Sequence, residues 1–586
     1  MRKLLLFLSL LATFVAVGTT AAAAGTSPPS GPTELAPSLE VDTDIPNSQS
    51  AAHVPSSHVP RPTSTPVDGS AGNSFLGLNF ADQRTADGGN QFSLEPPDQG
   101  LCAGDNGYVM EAVNSVFTFY QGGSRLFAPR ALNPFFTQDH AIVRRTPPVF
   151  GTFISDPKCY FDPELKRFFF TVVSLDRNPS TGAFAGPTHV ELAVSKSSTP
   201  STSRADWFFY RLTTTNNTGP DASTPYELNH PGCPCLPDQP LIGADKHGFF
   251  ISVNEFTDVL GGLANTSFNG AIVYAMDKAA LTTGSLHNVT VIGNLPPLAE
   301  GPGYSIQPAT SPTTADWQTA NNGTEYFLSA LDFNGTLDNR IAVWSATNTQ
   351  SLTTSTPAVH LSSAVLSSEV YGQPPKAEQK PGPTPLADSL KEHENLLDSN
   401  DDRMNQSVFV RPGGTGNGYL AGGVNTVVKT ENGPTHVGIA WFVVQPSAQA
   451  TATSPINGSV TSQGYTSVNQ ENVMYPAIGL NHAGSGAMVF TLVGPDFFPS
   501  AAFVPFSATS GAGSPVFVAR PGQKPADGFT GYRFFGGNGL ERWGDYSAAA
   551  ADSTGTVWLG TEYIEGDVSF PPFLANWDTR VISYTP

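Results

Sequence analysis

One pattern recurs along the chain and restricts what it can fold into. In residues 542–563 an acid, Asp545, precedes a small-residue run at 548–551. An Asp552-Ser-Thr-Gly555 turn follows, then an apolar run at 557–560, then Thr561 and Glu562. Related segments begin near residues 97, 155, 237, 304, 397 and 474, making seven units about 60 to 95 residues apart. Each unit supplies short runs of alternating or fully apolar residues divided by Asp/Asn-Gly turns, the signature of β-strands joined by tight turns. A unit of this kind cannot bury both of its faces alone, so neighbours must stack, and a radial stack protects strand edges when it closes. The expectation is an all-β fold: a single β-propeller of seven blades, each a four-stranded antiparallel sheet, over residues 73–586. The strand at 73–80 has no hairpin partner, so it is expected to complete the last blade from the other end of the chain.

The recurrence also places candidate functional residues. In a propeller the first strand of each blade lines the central channel, and its start lies at one mouth. Asp98, Asp156, Asp238 and Asp545 then ring that mouth, with Gln307, Arg403 and Tyr475 at the equivalent positions. Crowded carboxylates must be paired, hydrogen-bonded or bound to a cation such as calcium. A second polar set, Asn114, Asn254, Glu255, Asp332, Asn425 and Glu562, follows the second strands and reads as turn and cap residues. One insertion stands out. Residues 373–400 are Pro-rich and then carry the chain's one clear helical pattern, from Pro385. They precede the fifth unit and are expected to lie over the mouth as a lid or plug.

Composition narrows the partners and the compartment. Charged residues are 13% and the formal charge is -20, which repels phosphate backbones and argues against nucleic acid. Arg2 and Lys3 precede an apolar run to Val17 and a small-residue stretch, Ala21 to Ala24, so residues 1–24 read as a secretory signal peptide. No other stretch is apolar for the ~20 residues a membrane span needs. Residues 25–72 are rich in Pro, Ser, Thr and Ala without apolar periodicity, and are expected to be a disordered linker. The cysteines are Cys102, Cys159, Cys233 and Cys235, an even count that suits disulfides in an exported chain. Cys102 and Cys159 stand at matching places in consecutive units, which favours that bridge and leaves Cys233 beside Cys235.

The Asp552-x-x-Gly555-x-x-Trp558 turn is similar to the Asp-box of sialidase-like propellers, with Ala550 where that motif has Ser or Thr. The combination of Arg542-Trp-Gly-Asp-Tyr-Ser547, Asp401-Asp-Arg403-Met404 and Asp156-Pro157 resembles a group of large secreted bacterial propellers without an assigned activity. The resemblance covers about residues 73–586 and implies fold and location. The sialidase chemistry would need three arginines, and a third is missing at the strand starts. The reading is a secreted, monomeric binding scaffold for a glycan or protein at the mouth. The alternative is a carbohydrate-active hydrolase or lyase using carboxylates at the same mouth.

Overall fold

The computed structural model describes residues 31–41, 51–69, 72–214, 233, 235–257, 266–286, 288–293, 295, 301–332, 335–431, 433–566 and 577–586. The expected signal peptide lies outside them.

The protein is all-β. Among the described residues, besides two two-stranded sheets, seven larger and mainly antiparallel sheets follow one another in chain order, numbered here 1 to 7 by their first strands. These are Gly100–Ala103, Phe153–Asp162, Cys235–Ala244, Gln307–Thr310, Ser407–Val410, Asn472–Leu480 and Ala548–Ala551. First strands of successive sheets are neighbours, and that of sheet 7 also packs on that of sheet 1. Between sheets 4 and 5 the approach is close enough for parallel pairing, Ala309 with Ser407 and Thr310 with Val408, so those two run on as one eight-stranded sheet. Sheet 7 is completed by Asn73–Asn79, which pairs antiparallel with Asp578–Tyr584. The two distant ends of the chain are thereby joined by a hydrogen-bond ladder.

The apolar clusters lie between adjacent sheets. Phe169 of sheet 2 stacks on Phe249 of sheet 3 with ring centres 4.8 Å apart, and Phe117 of sheet 1 meets Phe170 of sheet 2 at 5.2 Å. A strand with a sheet on each side buries both of its faces. That is why Arg167–Arg177 reads Phe-Phe-Phe-Thr-Val-Val without alternation. Cys102–Cys159 forms a disulfide between the first strands of sheets 1 and 2, and Cys233–Cys235 forms a second. The Asp-box-like turn closes through its own side chain. Asp552 Oδ1 accepts the N–H groups of Thr554 and Thr556 at 2.8 and 3.2 Å, and Oδ2 accepts the Trp558 indole N–H at 2.9 Å. Gly555 sits at φ +88°, which a Cβ would strain.

Three short segments within 25–72, the stretch expected as a disordered linker, pair as strands. Thr33–Glu34 pairs parallel with the outer strand of sheet 2, Ala36–Val41 with that of sheet 3, and Val67–Asp68 with that of sheet 6. An outer edge strand presents unpaired N–H and C=O groups. A polar, Pro-rich segment can satisfy them through its backbone without an apolar face, so its composition does not betray the pairing.

The 373–400 insertion carries a helix at Pro385–Leu390, shorter than its sequence pattern suggests. Leu396–Leu397 beyond it pairs parallel with Leu540–Glu541. No helix among the described residues is long and apolar enough to cross a membrane.

Candidate functional site

The first strands of sheets 2, 3 and 6 each break register at a residue followed by proline: Asp156-Pro157, Gln239-Pro240 and Tyr475-Pro476. The residue before the proline is left-handed, with φ of 56°, 51° and 60° respectively. Asp98 and Ser305 hold the same conformation at 48° and 43° just ahead of the first strands of sheets 1 and 4. Such a conformation costs a non-glycine residue about 1–2 kcal/mol. A hydrogen bond from the preceding sheet offsets it. Asn114 Oδ1 accepts the Asp156 N–H at 2.9 Å, Asp156 Oδ2 the Gln239 N–H at 3.1 Å, Asn254 Oδ1 the Ser305 N–H at 2.8 Å and Asn425 Oδ1 the Tyr475 N–H at 2.7 Å. Across the closure, Asp98 Oδ1 accepts the Asp545 N–H at 2.9 Å. The recurring acids and amides thus fasten sheet to sheet. Asn114, Asn254 and Asn425, which read as turn and cap residues, are members of the same fastening set. Their recurrence toward the ends of second strands was the signal available in the sequence, Asn114 just after its strand and Asn254 and Asn425 within theirs.

The structure brings Asp98, Asp156, Asp238 and Asp545 into one electrostatic group. Burial, reinforced by Asp545 and Asp156, pushes the Asp98 carboxyl well above the usual range. Burial and then Asp545 raise Asp156 to about 6. Asp238 is also raised well above its ordinary value, by burial and then Asp156, although it stands one position before the left-handed residue of its strand, Gln239. Two guanidinium groups hold the group together. Burial alone would lower Arg403, but Asp401, at 2.7 Å, and the carboxyls of Asp545 and Asp238 outweigh it and raise it. The same balance holds for Arg542, paired with Asp545 at 2.7 Å. Arg403 in turn lowers Asp401 despite its burial, so that carboxylate stays ionised.

The insertion lies over this lattice as expected. Asn400 Nδ2 donates to Asp545 Oδ1 at 3.0 Å, the Tyr475 hydroxyl to the Asp398 carbonyl at 2.7 Å, and Asn425 Nδ2 to the Ser399 carbonyl at 2.8 Å. Between the insertion and sheets 3 and 4 remains a pocket of about 460 Å³. One wall is aromatic: Phe256 meets Phe268 at 5.7 Å, and Phe268 meets Tyr304 at 6.5 Å. Beside Pro374 and Pro375, the rest of the lining is polar, including Asn254, Lys376, Asp398, Asp401, Arg403 and Arg542. Lys376 reaches Asp398 at 2.6 Å.

Of the residues nominated from sequence, Arg403 alone lines this pocket. Asp98, Asp156, Asp545 and Tyr475 are buried and engaged in the fastening lattice. Gln307 lines the central cavity between the first strands instead, because Ser305 occupies the left-handed position of its strand. The aromatic wall was missed: Phe256 and Phe268 face each other on two paired strands of sheet 3, and Tyr304 joins them from the loop leading into sheet 4, with no repeat spacing that marks the three as a set.

No family model matches the chain, and no curated protein matches it by sequence. Similar solved structures include an exo-beta-1,3-galactanase from Clostridium thermocellum, 10% identical over 74% of this chain and 82% of that one, with a TM-score of 0.25. A Trypanosoma rangeli sialidase bound to sialic acid is 9% identical over 92% and 97%, with a TM-score of 0.27. An alpha-L-arabinanase from Penicillium chrysogenum is 11% identical over 72% and 92%, at 0.25. At these scores the superpositions are too loose to carry a site or an activity across.

Proposed function

We propose that the seven sheets are the blades of a single β-propeller and that the protein is an exported scaffold binding a saccharide in the pocket beneath the 373–400 insertion. The observation that carries this reading is the pocket's construction: a row of three aromatic rings faces two arginines and a set of hydrogen-bonding groups. Its size, about 460 Å³, falls within the roughly 300–1,000 Å³ of small-molecule sites, which pair apolar walls with a few placed polar groups. It suits a sugar unit or two, whereas a protein partner would call on roughly 800 Å² of open surface. The two disulfides accord with export.

Carboxylate-based hydrolysis finds less support. It requires an acid held protonated near the bond and a second, ionised carboxylate. The carboxylates lining the pocket are Asp398, which is ion-paired with Lys376, and Asp401, which Arg403 keeps ionised. Of the carboxyls pushed upward in this region, Asp98 and Asp156 accept backbone N–H groups, and neither they nor Asp238 and Asp402 line the pocket.

The test uses the mature chain on a glycan array, followed by titration of the best ligand and an assay for released reducing ends. Binding that weakens tenfold or more in both Phe268→Ala and Lys376→Ala, with unchanged melting and no released ends, is the expected result. Binding that ignores both substitutions refutes the pocket, and release of reducing ends would establish the hydrolase reading instead.

A further inference from the structure

A second cavity, of about 90 Å³, runs between the first strands and takes lining residues from all seven of them. At one end stand turn residues, among them Asp105 and Lys166, which pair at 3.1 Å. Exposed Ser553 lies at the same end, so the cavity reaches the face opposite the saccharide pocket. At the other end stands Lys158, two residues after Asp156. Its ammonium lies 3.0 Å from the centre of the Tyr546 ring. Among the described residues no carboxylate oxygen lies within 4.0 Å of it, so it forms no ion pair. Gly100, Ala103, Gly479 and Ala549 are among the small residues of the cavity's walls. Two buried amides on this cavity, Gln307 and Asn405, are 3% and 2% exposed. The side-chain oxygen of each has no hydrogen-bond partner.

A nucleophilic amine needs to be unpaired, reachable and neutral for part of the time. The geometry supplies the first two conditions. Burial supplies the third, lowering Lys158 to about 7 against the pull of Asp98, Asp156 and Asp545, the carboxyls that face it. The unpartnered Gln307 and Asn405 oxygens call for hydroxyl donors on whatever enters, and the cavity's volume admits only a small molecule.

We propose that Lys158 is a nucleophilic amine at the closed end of the central cavity and captures small hydroxyaldehydes as a Schiff base. The nitrogen lone pair attacks the carbonyl carbon, and the carbonyl oxygen takes up a proton to give a carbinolamine. Loss of water, carrying off that oxygen, leaves the imine. The hydroxyl of the aldehyde donates to Gln307 or Asn405.

The experiment treats the full chain with glycolaldehyde, using cyanoborohydride as hydride donor to trap the imine, and locates adducts by peptide mass mapping from about pH 6 to pH 10. The neutral amine is the reactive form. Labelling at Lys158 is therefore expected to rise through pH ~7 and level off, while an ordinary lysine keeps rising toward its own value of about 10.4. Near neutral pH, Lys158 should be labelled at least tenfold faster than Lys196 or Lys376. Gln307→Met should cut the preference for glycolaldehyde over acetaldehyde, and Lys158→Arg should remove the fast adduct. Labelling of Lys158 no faster than those two lysines, or rising steadily to pH 10, overturns the proposal in the unmutated protein.

Discussion

Glu111 offers a quantitative test of how the chain's ends are joined. Its carboxylate is fully buried in sheet 1 and takes hydrogen bonds from four donors. Oε2 accepts the Leu78 N–H and the Tyr120 hydroxyl, each at 2.9 Å, while Oε1 accepts Gln99 Nε2 at 2.6 Å and the Thr579 hydroxyl. Leu78 and Thr579 lie on the two strands that complete sheet 7, one from each end of the domain. Glu111→Ala orphans the Leu78 N–H, the Tyr120 hydroxyl and Gln99 Nε2, while the Thr579 hydroxyl keeps the Leu78 carbonyl as acceptor. At ~1–3 kcal/mol for each buried group left unsatisfied, less what water entering the cavity restores, the loss is about 4 kcal/mol. For a chain this long that lowers the melting temperature by about 8 °C or less.

Glu111→Gln should behave differently, because the site can re-pair. Gln99 Oε1 has no partner at present, so Gln99 can turn over and accept from the new amide. The Thr579 hydroxyl already donates to the Leu78 carbonyl at 2.7 Å and can likewise accept from the amide. Burial raises the Glu111 carboxyl, so the substitution also removes a charge that is costly to bury. The expected change is within about 1 kcal/mol. Urea unfolding of both variants beside the parent protein measures the difference. Equal losses in the two variants would show that side-chain volume, not the four hydrogen bonds, matters at this junction.

Two further outcomes can be measured on the same material. Opening Cys102–Cys159 by Cys102→Ala with Cys159→Ala removes a link spanning 57 residues, which chain entropy values at about 4 kcal/mol; an unfolding midpoint unchanged by the double substitution would contradict it. Asp156 is raised to about 6, so the folded state holds a proton that the unfolded chain has released, and stability falls as pH rises from about 4 through 6. Asp156→Asn should flatten that fall in melting temperature, since its side-chain oxygen can still accept the Gln239 N–H; a slope equal to the parent's would remove Asp156 as its source.

Much of the architecture is legible in the sequence. Apolar runs such as Phe168 to Val173 and turns such as Asp552 to Gly555 are local signals, and each states its own strand or turn. The lone strand at 73–80 pointed to closure because its missing partner was itself visible. The sequence also picked out Asp98, Asp156 and Asp545 as one set, since each opens its unit in the same way.

What those residues do was settled only by tertiary structure. A carboxylate at a strand start looks the same whether it faces solvent or caps a neighbour's N–H. Only the approach of sheet to sheet puts Asp156 Oδ2 on Gln239 and Asp98 Oδ1 on Asp545. In sheet 3 a bulge puts Gln239, one residue past Asp238, in the left-handed position, and with a side-chain period of two that slip changes the face; in sheet 4 the position falls on Ser305, two residues before Gln307. The aromatic wall of Phe256, Phe268 and Tyr304 and the unpaired Lys158 belong to the same class. Phe256 and Phe268 are cross-strand partners, but the approach of Tyr304 to them, and of Tyr546 to Lys158, joins residues far apart in the chain, which local pattern does not encode.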